Sequence, residues 1–165
     1  MGENTSRREF LKLAGKGVLG AAALSTVPAM LPALAEGVEA PAWPWAYKKL
    51  DKDAVMKHGY ECFYSHGGCC AGAVAAVVEL LAEEYGYPYN QLNARMFADG
   101  AGGYGAATLC GSLGGACAVF GLFCEANEAR ELRDQLYAWY KDHAFPSYQP
   151  EMESITTVSG AIECA

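Results

Sequence analysis

Beyond residue 50, apolar positions recur at helical spacing in segments cut by glycine and proline, and no alternating strand pattern of useful length occurs. Asp51 or Asp53 can cap a first helix running to about Tyr64, which Gly67-Gly68 breaks. From Cys69 to Tyr85 the chain is apolar on most sides until Glu79, the pattern of a central helix. Gly86 ends it and Pro88 prevents its continuation. Asn90 is placed to cap a short helix through Ala98. A glycine loop follows from Asp99 to Gly105, and residues 106–124 then read as another helix. Gly111, Gly114, Gly115 and Gly121 lie within it. Each costs about 1 kcal/mol relative to alanine, so they serve close packing or the close approach of a cofactor. Ala126 to His143 is amphipathic, with Leu132, Leu136, Trp139 and Tyr140 on one side. Residues 144–165, with Pro146 and Pro150, read as irregular. The pattern predicts an all-α fold, a compact bundle of four to five helices over residues 51–165. Residues 36–50 read as an extended arm along which Trp43, Trp45 and Tyr47 alternate.

Composition narrows this picture. With 165 residues, 52% hydrophobic and 19% charged, the chain suits one packed domain and not a disordered one. A formal net charge of −7 argues against a nucleic-acid partner, which needs a basic face. There is no P-loop, no HExxH and no Ser-His-Asp pattern to support an NTPase or a hydrolase. Residues 1–35 read as a twin-arginine signal peptide: Ser6-Arg7-Arg8-Glu9-Phe10-Leu11-Lys12, an apolar stretch from Leu13 to Leu34, and a small-residue cleavage site at Ala33-Leu34-Ala35. Pro28 and Pro32 make that stretch a weak spanning helix. Cleavage, export to the periplasm and a mature chain from Glu36 are therefore expected, with membrane contact only through an uncleaved signal. This route carries folded proteins, which shifts the expectation toward a centre assembled before export.

Cysteines stand at 62, 69, 70, 110, 117, 124 and 164, without a CxxC or CxxCH pair, so neither a zinc ribbon nor covalent haem attachment is supported. Cys110, Cys117 and Cys124 share one helix face at about 10.5 Å intervals, too far for a disulfide or one small metal centre. Any site must join one of them to cysteines from other segments. Cys117 and Cys124 read as small buried hydrophobes. Cys69 and Cys110 stand at Gly-flanked helix starts, which favour thiolates. They form the nucleus of a metal site, with plain packing as the rival reading. His58, Cys62 and His66 are spaced to share a helix face and offer metal or haem ligands, against ordinary solvated or capping roles. His143 has no functional part.

Gly67-Gly68-Cys69, Cys110-Gly111-Ser112-Leu113-Gly114-Gly115 and Cys164 together resemble the C-GCAxxG-C-C family of redox-active proteins, in particular its split-Soret cytochrome c type. The stretch from Trp43 to Asp51, the loop Gly100 to Gly103 and Tyr137 to Tyr140 extend the likeness over residues 41–164. The resemblance implies a helical, dimeric, exported electron carrier that works with a redox partner protein. It implies an iron–sulfur cluster and, in the split-Soret type, haem as well. Cys69, Cys110 and Cys164 match three of the four family cysteines. The fourth is implied downstream of the third, so the likeness reads the chain as truncated after Ala165 or the site as completed by Cys70 or Cys62. Gly102, Gly103 and Gly111 would bring backbone N–H groups to the cluster, and His58 or His66 would serve a haem. Metal-free thiol–disulfide chemistry and a partner-binding module with core cysteines are the two rival functions.

Overall fold

The computed structural model describes residues 40–164. The predicted signal and the first residues of the arm lie outside them. Four α-helices carry the described part: α1 (Lys52–Ser65), α2 (Cys69–Tyr85), α3 (Gly111–Phe123) and α4 (Ala126–Asp142). Two 3-10 helices, η1 (Tyr89–Gln91) and η2 (Ala94–Gly100), link α2 to the glycine loop. Among the described residues, no helix is long and apolar enough to cross a membrane.

The helix α2 is the hub. It packs against α1, α3 and both 3-10 helices, and Val74, Ala75, Val78 and Leu81 are buried on it. Its small residues let neighbours come close: a Cβ added at Gly72 would lie 3.0 Å from the backbone of Phe63 on α1. Cys62, Val74, Val78, Ala94 and Val119 form one part of the core. Trp45, Leu81 and Tyr89 form a second, and both parts share Val77, Leu92, Leu122 and Phe123. Leu81 and Val78 are fully buried, so this is where most of the hydrophobic stabilisation resides.

The extended segment before α1 packs on the end of α3. The Trp45 backbone N–H donates to Leu122 O at 3.0 Å, and the Trp43 indole donates to Gly121 O at 2.8 Å. The buried Trp45 ring meets Tyr89 edge-on at 6.0 Å. Asp51 caps α1, its carboxylate accepting from the Ala54 N–H at 2.9 Å. Asp51→Ala should therefore cost about 1 kcal/mol, read as a small fall in denaturant midpoint with an unchanged slope.

Three local expectations change. The helix expected over 90–98 is replaced by two 3-10 helices. Extended Leu92 separates them, and Asn93, not Asn90, caps the second by accepting from the Arg95 N–H. The helix expected over 106–124 is shorter, with Cys110 as its N-cap and Cys124 as its C-cap. Residues 144–164 are mostly irregular, but Ala144–Phe145 pairs antiparallel with Thr157–Val158. A two-residue ladder is too short for alternation to announce.

Candidate metal centre

The two Gly-flanked cysteines meet because α2 and α3 start side by side. Cys69 is the first residue of α2, after Gly68 at φ 115°, a backbone shape suited to glycine. Cys110 is the N-cap of α3. A Cβ placed on Gly111 would lie 2.4 Å from Cys69 Sγ, so the Cys69 sulfur rests directly against the residue that follows Cys110. One turn further along α3, Gly115 lies against the α2 backbone, where a Cβ would come 2.4 Å from Cys70 O. Glycine at 111 and 115 is what allows the helix starts to come this close.

Cys164 arrives from the far end of the chain. The Cys110 N–H donates to Ile162 O at 2.7 Å, and the Cys164 N–H donates to Ala107 O at 3.1 Å. Residues 162–164 are thereby held along the approach to α3. Over this group lies Tyr140 of α4. Its hydroxyl donates to Cys110 Sγ at 3.4 Å. Burial, that hydrogen bond and the charges of Cys110, Cys164 and Cys69 push its phenol up to about 12. Of the three thiols only that of Cys110 is hydrogen-bonded to this hydroxyl. All three cysteines are half-buried and free.

Cys70 is buried beside them, and a Cβ at Gly100 would sit 2.6 Å from its sulfur. Burial raises its thiol, and the charges of Cys69 and Cys110 raise it further. Gly103 faces Leu109, whose carbonyl oxygen a Cβ there would meet at 2.5 Å, while Gly102 has nothing within 4 Å. Cys117 is not simply packed, since its thiol lies 3.6 Å from the Tyr137 hydroxyl.

Cys62, His58 and His66 are brought together elsewhere, around Glu79 of α2. His58 Nε2 lies 3.0 Å from Glu79 Oε2 and His66 Nε2 lies 2.8 Å from Glu79 Oε1. The Cys62 thiol donates to Glu79 Oε2 at 3.7 Å. Burial, then the charge of Glu79 and the hydrogen bond to it, raise that thiol to about 11. Burial pulls the Glu79 carboxyl upward, but the hydrogen bonds and charges of His66 and His58 outweigh it and hold the group below its ordinary value. Glu79 and Tyr140 had no sequence signal as site residues beyond one carboxylate in an apolar run and one tyrosine on an amphipathic face.

The profile of the C_GCAxxG_C_C family of redox-active proteins matches residues 68–165. The chain is similar to split-Soret cytochrome c of Desulfovibrio desulfuricans, with 35% identity over 111 residues, 66% of this chain and 40% of that protein. A solved structure of that cytochrome, described as holding a novel iron centre, aligns with a TM-score of 0.68 and 31% identity, over 73% of this chain and 54% of the other. The chain therefore spans roughly half the length of these relatives.

Proposed function

The chain belongs to the C_GCAxxG_C_C family of redox-active proteins, and from that premise we propose that it transfers electrons through an iron–sulfur cluster held by the thiolates of Cys69, Cys110 and Cys164. The observation that carries this reading is the meeting of the two helix starts, where the Cys69 sulfur rests against Gly111 beside Cys110 and the Cys164 backbone is tied to Ala107 on the same approach. The relative described as holding a novel iron centre supports a metal-bearing role for this fold.

The residues fit such a group in three ways. Soft thiolates are the ligands that iron–sulfur centres take. The starts of α2 and α3 present N–H groups and the positive ends of two helix dipoles, which favour thiolates. Gly111 leaves the space beside Cys69 that any side chain would fill. Cys70, adjacent to Cys69 in the chain and with its sulfur against Gly100, is the candidate for a fourth position. Cys62 is engaged with His58 and Glu79. When bound, the cluster supplies one-electron chemistry at a potential set by the charges and N–H donors around its sulfurs. Tyr140 donates a hydrogen bond to the Cys110 sulfur, which would draw charge from a thiolate there. Export of the folded, loaded chain to the periplasm, pairing into a homodimer and delivery to a redox partner belong to the same proposal.

The test is iron and acid-labile sulfide analysis of the chain assembled without air. The expected result is a brown protein with iron and sulfide in equal amounts. A colourless chain that loses two titratable thiols on oxidation would overturn the cluster in favour of thiol–disulfide chemistry.

A further inference from the structure

We propose that His58, Cys62 and Glu79 form a second metal site, between α1 and α2, for a borderline divalent cation of the zinc class. His58 Nε2, Cys62 Sγ and Glu79 Oε2 all lie within 4.8 Å of one another. Their separations are 3.0 Å between nitrogen and oxygen, 3.4 Å between nitrogen and sulfur and 3.7 Å between sulfur and oxygen. Bonds of about 2.0–2.3 Å to a tetrahedral ion place its ligand atoms roughly 3.3–3.7 Å apart. The three atoms already stand close to one face of that tetrahedron. A mixed nitrogen, sulfur and oxygen set suits zinc over magnesium or calcium, which take oxygen alone.

The surroundings match what a ligand set requires. Cys62 is only 2% exposed, yet its sulfur faces an imidazole and a carboxylate in place of a hydrocarbon wall. The His58 and Glu79 side chains are 27% and 33% accessible, which leaves a path for an ion. The second carboxylate oxygen of Glu79 is held by His66 Nε2 at 2.8 Å. His66 Nδ1 shares a hydrogen bond with Ser65 Oγ at 2.8 Å, and Ser65 Oγ also lies 3.0 Å from Glu61 O. That chain from serine through His66 fixes Glu79 with Oε2 turned toward His58 and Cys62, so His66 is a positioning residue. Glu79 is about 15 Å along α2 from Cys69, which separates this site from the cysteine centre.

Binding exchanges protons and moves no electrons. The Cys62 S–H bond breaks and its proton leaves to solvent as the sulfur–metal bond forms. His58 likewise gives up the Nε2 proton it shares with Glu79, so that its Nε2 lone pair meets the ion while Nδ1 carries the remaining proton. Three protein ligands leave a fourth position for water.

The probe is Zn2+ alone, competed against a chromogenic chelator, and Co2+ alone, read by its thiolate charge-transfer band, on the full chain kept free of iron. In a Cys110→Ser chain, whose cysteine centre is broken, the expected result is one ion per chain, and the changes that follow are made in that chain. Cys62→Ser should abolish the cobalt–thiolate band and weaken zinc at least tenfold. Glu79→Gln, which keeps the fold if Cys62→Ser does not, should also weaken zinc at least tenfold. His66→Gln should weaken zinc roughly tenfold and keep the band. Retention of zinc affinity and band in both Cys62→Ser and Glu79→Gln would overturn the site. So would loss of both in Cys110→Ser, which would place the ion at the cysteine centre.

Discussion

A Cys110→Ser chain should fold, yet assemble with less than a tenth of the iron and acid-labile sulfide of the unaltered chain. Cys110 is half-buried at a helix cap and not inside the core, so the swap of sulfur for oxygen opens no large cavity. Serine also remains a good N-cap. What is lost is a soft thiolate, the ligand that iron–sulfur chemistry needs. A second readout belongs to the metal-free chain. The Tyr140 phenol, pushed up to about 12 by burial first, then by its hydrogen bond to Cys110 and the charges of Cys110, Cys164 and Cys69, should fall in part when Cys110 is removed, burial holding the rest of the rise in place. Tyrosinate absorption against pH measures this without any cofactor. The sign for stability follows. A phenol whose folded pKa is raised stabilises the folded chain below pH 10, and that contribution is lost as pH rises toward 12. Cys110→Ser should therefore shrink the loss of stability over that alkaline window. Iron and sulfide at unaltered levels in the variant would remove Cys110 from the centre.

The helices and the two helix-start cysteines could be read from local chemistry alone. Asp51 as a cap, Gly67-Gly68 as a break and Gly86 with Pro88 as a stop all act within a few residues. Cys69 to Tyr85 accordingly matches the helix found. Asn93 won over Asn90 because extended Leu92 lies between the two 3-10 helices and the Asn93 side chain takes the next free N–H. That choice turns on a single backbone dihedral, which composition does not reveal. Tyr140 and Glu79 were not legible for a different reason. Each acts across a helix crossing, on partners many residues away, and the angle of a crossing is set by packing. Cys164 reaches the centre through two backbone hydrogen bonds, from Cys110 to Ile162 and from Cys164 to Ala107, which leave no mark on side-chain pattern. The glycines of α3 were half legible. Their cost in a helix showed that something comes close, but not that Cys69 meets Gly111 and Cys70 meets Gly115.

That last contact carries the second large effect, expected for Gly115→Ala. The added Cβ would lie 2.4 Å from the carbonyl oxygen of Cys70 and 2.9 Å from Ala73 Cβ. Neither is the end of a flexible side chain, so α2 and α3 must separate. Alanine is the better helix former by about 1 kcal/mol, which an exposed position would show as a gain. Here overpacking against the hub helix outweighs it, and a net loss of about 2–3 kcal/mol is expected. For a domain of this size that is a fall in Tm of roughly 6–15 °C. Gly114→Ala, on the same helix with nothing within 4 Å of the added carbon, should be neutral or slightly stabilising. The pair separates propensity from packing on adjacent residues. The same displacement should move Cys110 away from Cys69, so Gly115→Ala should also lose assembled iron at temperatures where it is still folded, whereas Gly114→Ala keeps it. Equal Tm values for the two variants would mean that α2 and α3 are not held together at this contact.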